Sequence, residues 1–329
     1  MRKINVLFLP HPVPALATPW SNDVVQAIDI HHQLSIFDRE QPAAPQFAGI
    51  EAIVDLGGNI TSELLTYAAE VGVKFLQAQT TGLDHVNVDG ILNAGLLLAH
   101  CPGQLSSVAL AQSAMLFILM HAHRYAEARQ NFTDGQLYSP AGSELEGLTL
   151  GLIGFGASGQ ELARRAKPFG LRILAIDVRP IEEDILAQIQ PEFLGGPDDV
   201  DRVVGESDYL SLHLHLTPET HHTIDARRID LMKNTACLIN VARGELVDEA
   251  ALYQALLDKH IGGAGLDVFA QEPPDPNLPV YQLPNVFVMP HTAGSTDGTS
   301  RKRAQFAADN LNRYACGETL LGQVTAELT

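Results

Sequence analysis

The sequence predicts an α/β protein of two Rossmann-like or flavodoxin-like lobes, each a parallel sheet covered by helices, with a cleft between them. Three observations carry this prediction. Short apolar runs alternate with helix-patterned stretches along almost the whole chain, and strand–helix alternation builds parallel sheets buried on both faces. A glycine-rich G-x-G-x-x-G turn stands between one such run and a helix-forming stretch. The length of 329 residues suggests about two domains at roughly 100–200 residues each.

The elements follow in order. Apolar runs at Ile4–Leu9, Ile50–Val54, Lys74–Ala78 and Leu96–Ala99 read as buried strands. Between them, Thr61–Val71 reads as a helix, with Thr61 or Ser62 as its cap and Leu64, Leu65 and Ala68 at helical spacing. Ser107–Asn131 contains neither Gly nor Pro and is rich in Ala, Leu and Met, which predicts a single long helix. A loop over Tyr138–Leu148 follows. A second series of strands is expected at Leu150–Ile153, Arg172–Asp177, Tyr209–Leu214, Ala236–Val241, Gly263–Val268 and Val286–Met289, then a final helix from Thr296 to Cys316. His11–Trp20 is expected to be a loop.

Composition excludes several functions. The 21 basic residues are outnumbered by 39 acidic ones, for a net charge of −18. That argues against a nucleic-acid surface, which needs clustered Lys and Arg, and against affinity for anionic membranes. No apolar run approaches the roughly 20 residues that span a bilayer. The N-terminal run is too short for a signal peptide, and no small-residue cleavage site follows it. The three cysteines, Cys101, Cys237 and Cys316, have neither disulfide nor metal-ligand spacing, which predicts a cytoplasmic chain with reduced thiols. His121 and His123 lie near no Cys or carboxylate at ligand spacing, so no metal is expected.

The glycine turn reads as a dinucleotide site. Leu150–Ile153 precedes Gly154, Gly156 and Gly159, Gln160–Lys167 continues as a helix, and the next strand ends in Asp177, 18 positions beyond Gly159. Gly154 permits the tight turn, Gly156 lets a diphosphate approach the backbone, and Gly159 lets helix and strand pack closely. The helix N-terminus offers free N–H groups to the phosphates. Asp177 accepts from ribose hydroxyls and repels the extra phosphate of NADP. NAD is therefore the expected cofactor, although Arg179 stands near enough in sequence to meet such a phosphate.

Three later segments place charge at strand ends, where ligands of open parallel sheets bind. They are INVARGELVDEAAL with Arg243, GLDVFAQEPP with Asp267 and Glu272, and VFVMPHTAGST with His291.

From about Leu148 to Ser295 the chain strongly resembles the D-isomer-specific 2-hydroxyacid dehydrogenases, a family that includes D-lactate, D-glycerate and D-3-phosphoglycerate dehydrogenases and glyoxylate/hydroxypyruvate reductases. LGLIGFG, LHLHLTPET, LINVARGELVDEAAL, GAGLDVFAQEPP and MPHTAGST occur in order, and TTGLDHVNVD and HCPG match more loosely upstream. The resemblance implies a catalytic triad of Arg243, Glu272 and His291, and the residue chemistry agrees with the roles it carries over: the planar guanidinium of Arg243 for the carboxylate and adjacent ketone oxygen of a 2-oxo acid, His291 to give or take the proton, and Glu272 to orient the imidazole and favour its charged form. It implies cofactor contacts at Gly154, Phe155, Gly156, Ala157, Ser158, Gly159, Asp177, Leu214, Thr220, Val241, Ala242, Asp267 and Gly294, with Asp267 near the nicotinamide amide. It implies substrate contacts at Leu56, Gly57, Thr81, Gly82 and Leu83 beside Arg243 and His291. Residues 1–101 with 295–329 would form the substrate lobe and 102–294 the NAD lobe, with the active site in the cleft.

The chain departs from the family at Ala157–Ser158, where Arg–Ile is frequent, at His215 in place of a proline, and at Gln112 in place of a Glu. Thr81 stands where phosphite dehydrogenases carry Lys, and Glu272 where formate dehydrogenases carry Gln, so neither activity is expected. The expected reaction is NAD-dependent interconversion of a 2-oxo acid and a D-2-hydroxy acid, with a small unphosphorylated substrate such as glyoxylate, hydroxypyruvate or pyruvate. The alternatives are a D-3-phosphoglycerate dehydrogenase-like activity and a non-catalytic NAD(H)-sensing protein of the same fold. The family is usually homodimeric, which assigns the interface to Ser107–Asn131 and the loop after it.

Overall fold

The first hundred residues wind a sheet whose two faces are filled from two directions. The computed structural model describes residues 2–325, and over residues 14–19 it describes the backbone alone. The chain divides into unit 1, Met1–Leu105 with Ser295–Thr329, and unit 2, Ser106–Gly294. Unit 1 begins with β1 (Asn5–Leu9), α1 (Pro14–Ile28), β2 (Gln33–Ile36), α2 (Ala43–Gln46), β3 (Ala52–Asp55), α3 (Ser62–Val71), β4 (Phe75–Ala78), α4 (Val88–Asn93) and β5 (Leu97–His100). The strands pair in parallel in the order β2-β1-β3-β4-β5.

Alternation in β1 explains the two layers. Val6 and Phe8 point to one face, with Val24 and Ile28 of α1; Leu7 and Leu9 point to the other, with Leu64, Leu65 and Ala68 of α3. Each such side chain contributes about 1.5–3 kcal/mol on burial, so a one-residue slip of register would reverse both faces at once. Thr61 caps α3, its Oγ1 accepting from Leu64 N at 3.3 Å. The stretch His11–Trp20 is not a loop throughout, because α1 starts at Pro14, a position where proline's missing N–H costs nothing. The side chains of 14–19, which bear on that expectation, lie outside the described residues.

Unit 2 comprises α5 (Ser107–Ala122), α6 (Tyr125–Thr133), β6 (Thr149–Ile153), α7 (Ala157–Ala166), β7 (Arg172–Ile176), α8 (Glu183–Ile189), β8 (Phe193–Gly195), α9 (Val200–Glu206), β9 (Tyr209–Leu212), α10 (Ala226–Leu231), β10 (Cys237–Asn240), α11 (Glu249–Leu257), β11 (Gly263–Leu266) and β12 (Val286–Val288). Its seven strands lie in the order β12-β11-β10-β9-β6-β7-β8, all parallel. The order reverses between β6 and β9, the switch point at which such sheets bind ligands. The last helix, α12 (Asp297–Cys316), belongs to unit 1, packs on α1 and is capped by Thr296. Among the described residues no helix is long and apolar enough to cross a membrane.

The single helix expected over Ser107–Asn131 is two. Arg124 adopts the left-handed region at φ 47° between α5 and α6. The cause lies further along the chain. Ser143 N donates to Ala122 O at 2.8 Å, and Gly142 approaches so closely that a Cβ there would meet the same carbonyl at 2.9 Å. The returning loop therefore satisfies the carbonyl that the next helical turn would have used.

Candidate active site

The turn from β6 into α7 is built for close approach. Gly154 sits at φ 96°, and a Cβ there would meet His213 O at 2.5 Å; one on Gly159 would meet Gly154 O at 2.3 Å. No side chain caps α7, so its first-turn N–H groups remain for an anion. Phe155 is fully buried and its N donates to Asp177 Oδ2 at 2.9 Å. The other oxygen of Asp177 accepts from Arg179 N at 2.9 Å and Arg179 Nε at 3.3 Å. The Arg179 guanidinium reaches to 3.3 Å from where a Cβ of Gly156 would lie.

The remaining expected cofactor residues occupy the carboxyl ends of the neighbouring strands. Leu214 and Thr220 follow β9, and Thr220 Oγ1 closes the loop by donating to His215 O at 2.7 Å. Val241 and Ala242 follow β10, Asp267 follows β11 and Gly294 follows β12.

Arg243, Glu272 and His291 come from three such ends. His291 Nδ1 lies 2.7 Å from Glu272 Oε2, and Glu272 Oε1 accepts from Phe269 N at 3.1 Å. The hydrogen bond that His291 donates to Glu272 raises the proton affinity of the imidazole above its usual range, against the opposing effect of burial. For Glu272 burial pushes upward, but the bonds from His291 and Phe269 together with nearby positive charge hold its carboxyl below the ordinary value. The charge of Arg243 lowers the proton affinity of both partners, and its Nη1 donates to Ala242 O at 2.8 Å.

His291 itself is strained, at φ 53°, a conformation costing a non-glycine residue about 1–3 kcal/mol. Asp267 holds it there. His291 N donates to Asp267 O at 2.8 Å, and the Asp267 carboxylate accepts from Thr292 N at 2.7 Å and Ala293 N at 2.9 Å. Burial raises the carboxyl of Asp267, and those N–H bonds oppose it. The side chain expected near a cofactor amide thus spends both oxygens on the loop that presents His291.

Comparison with known proteins decides what this arrangement belongs to. Residues 115–293 match the model of the D-isomer specific 2-hydroxyacid dehydrogenase NAD binding domain. The chain is 34% identical over 305 residues to a glyoxylate reductase of Korarchaeum cryptofilum, covering 88% of this chain and 89% of that protein. This chain belongs to the D-isomer specific 2-hydroxyacid dehydrogenase family. It is 33% identical over 268 residues to a D-3-phosphoglycerate dehydrogenase of Methanocaldococcus jannaschii, covering 81% of this chain and 50% of that one. Among solved structures, the D-lactate dehydrogenase of Aquifex aeolicus complexed with NAD and lactic acid matches with a TM-score of 0.77 and 28% identity over 95% of this chain and 96% of that chain.

As a 2-hydroxyacid dehydrogenase of this family the chain is an NAD-dependent oxidoreductase, and its residues fit the dinucleotide. Gly154 and Gly159 pack so closely on neighbouring backbone that no Cβ fits, Gly156 leaves the turn's backbone bare, and Asp177 retains acceptor capacity, since a carboxylate has about four lone-pair sites. The contest between Asp177 and Arg179 is testable. Asp177→Ala is expected to narrow the NAD/NADP preference by about tenfold or more, read as a ratio of kcat/KM values. An unchanged ratio would remove Asp177 as the ribose ligand.

The sequence reading missed residues that hold the site in place. Asn240, 1% exposed, donates from Nδ2 to Arg243 O at 2.7 Å and accepts from Ala242 N at 3.1 Å, which fixes the backbone on either side of Arg243. Its only signal was a polar residue ending an otherwise apolar strand. In unit 1, Leu56 and Gly57 follow β3 and Thr81–Leu83 follow β4. Gly57 O accepts from or pairs with His85 Nε2 at 2.7 Å, and Thr81 O pairs with His100 Nδ1 at 3.0 Å. Arg303 of α12 donates to Gln79 O at 3.2 Å and Thr81 Oγ1 at 3.1 Å. Among the described residues no group of three or more His, Cys, Asp or Glu is placed to hold a metal ion.

Proposed function

We propose that the chain reduces a small unphosphorylated 2-oxo acid, of the glyoxylate, hydroxypyruvate or pyruvate kind, to its D-2-hydroxy acid, with Arg243, Glu272 and His291 as the catalytic groups. The observation that carries this reading is the 2.7 Å His291–Glu272 pair, with Arg243 at the end of the neighbouring strand β10. The nicotinamide supplies the hydride when bound. Arg243 holds the substrate carboxylate and polarises the ketone oxygen. With Nδ1–H committed to Glu272, His291 presents Nε2–H to that oxygen. It gives up this proton as the alcohol forms and recovers one from solvent. Asp267 acts through the backbone of the His291 loop.

Unit 2 with its glycine turn is proposed as the NAD domain and unit 1 as the substrate domain. Within unit 1, Leu56, Gly57, Thr81, Gly82 and Leu83 are the proposed substrate contacts, because they follow β3 and β4, beside the reversal of strand order between β1 and β3. Between Lys3 and Arg124 the only basic residues are Arg39 and Lys74, which favours a small acid over a phosphorylated one. Three free cysteines, Cys101 and Cys237 buried and Cys316 exposed, support a reducing, cytoplasmic setting. Phe132, Leu137 and Tyr138 are exposed apolar residues in and after α6, and they support a homodimer formed through that segment.

The pH profile tests the proton donor. Reduction requires protonated His291, so its rate is full below the raised His291 pKa and falls as pH rises through it; oxidation of the alcohol shows the mirror image. Glu272→Gln removes the carboxylate that raises this pKa. The alkaline limb of the reduction profile is then expected to move to lower pH by about one unit. A limb that stays in place would show that another group carries the proton.

A further inference from the structure

The glycine turn carries a hydroxyl with a distinctive support. Ser158 lies in the uncapped first turn of α7. Its Oγ is 2.9 Å from His213 Nδ1, and His213 Nε2 is 3.0 Å from Ser211 Oγ. Ser211 is wholly buried inside β9. His213 follows directly after β9, its N donating to Ile153 O at 2.8 Å at the end of β6. A Cβ on Gly159 would lie 3.8 Å from His213 Cβ, so the histidine runs beneath the turn.

The resemblance already sets Ser158 among the cofactor contacts; we propose that His213, itself set by Ser211, is the positioning residue that turns the Ser158 hydroxyl proton toward the cofactor diphosphate. Burial holds the His213 imidazole down to about 4, so near neutral pH the ring has one N–H and one bare nitrogen. Two arrangements of the chain follow. In one, Ser211 donates to Nε2, Nδ1–H donates to Ser158 Oγ, and the Ser158 proton is left for an external acceptor. In the other, Nε2–H donates to Ser211 and Ser158 donates to Nδ1, which leaves only lone pairs facing outward. A diphosphate oxygen repels lone pairs and accepts a proton, so its arrival selects the Nδ1–H form. The hydroxyl then adds a charge-assisted bond to those of the helix N-terminus.

This inference rests on the family's dinucleotide site and not on the substrate, so it stands or falls separately from the proposed reaction. The imidazole nitrogen chemical shifts of His213, assigned with His213→Gln, report its tautomer. Adding ADP-ribose to the wild-type protein is expected to shift His213 toward the Nδ1–H form, whereas adenosine, which lacks the diphosphate, leaves it unchanged. Ser158→Ala is expected to abolish the shift and to weaken NADH binding about tenfold by fluorescence titration, and Ser158→Thr to restore both. A tautomer indifferent to ADP-ribose, or a Ser158→Ala protein binding NADH as tightly as wild type, would overturn the proposal.

Discussion

His291→Ala is expected to lower the rate of 2-oxo acid reduction by about a hundred- to ten-thousandfold while NADH still binds. The reason is local. The imidazole is the proton donor in the proposed reaction, and its raised proton affinity depends on the Glu272 bond at 2.7 Å. The dinucleotide turn lies at the end of a different strand, so its affinity is spared. The fold is spared too, because the Asp267 bonds to Thr292 and Ala293 remain. Arg243→Ala is expected to cause a loss of similar order, with KM for the oxo acid rising as well, since the guanidinium binds the ground-state carboxylate and stabilises the developing charge. Near-wild-type turnover of an accepted 2-oxo acid in either variant would sink the assigned roles.

Gly244→Ala is expected to be the most damaging conservative change to the site. A Cβ at this position would fall 1.9 Å from Phe269 C and 2.2 Å from Ala270 N. These are backbone atoms, so no rotamer change relieves the clash. The Arg243–Gly244 segment and the loop leading to Glu272 must separate. Overpacking of this severity costs about 1–3 kcal/mol or more, visible as a drop in the denaturation midpoint at unchanged m-value. Activity should fall further than stability, because Glu272 Oε1 is held by Phe269 N and moves with it. A Gly244→Ala protein with wild-type stability and rate would show that the two loops do not pack as described.

What was legible in the sequence follows from where each cause lies along the chain. The glycine turn was legible because its strand, its glycines, its helix and Asp177 fall within one short stretch. The proposed triad of Arg243, Glu272 and His291 stands out in the sequence through ordered motifs, each at a strand end. By contrast, β2 and β8 were not seen, because edge strands with exposed or half-buried residues carry no continuous apolar run. The break between α5 and α6 has its cause at Gly142 and Ser143, about 20 residues beyond it. In β11, Gly265 would weaken a strand on propensity alone, yet a Cβ there would meet Phe117 of α5 at 2.5 Å. The roles of Asn240 and His213 were invisible for the same reason: they depend on which loops the fold brings beside them.

The most direct test of the central claim is a steady-state assay of NADH consumption over glyoxylate, hydroxypyruvate, pyruvate and 3-phosphohydroxypyruvate, with the configuration of each chiral product determined. The account predicts turnover of the small unphosphorylated acids, a D-configured alcohol from hydroxypyruvate or pyruvate, and little or no activity on the phosphorylated acid. NADH fluorescence that reports binding while no 2-oxo acid is turned over, or a product of L configuration, would contradict it.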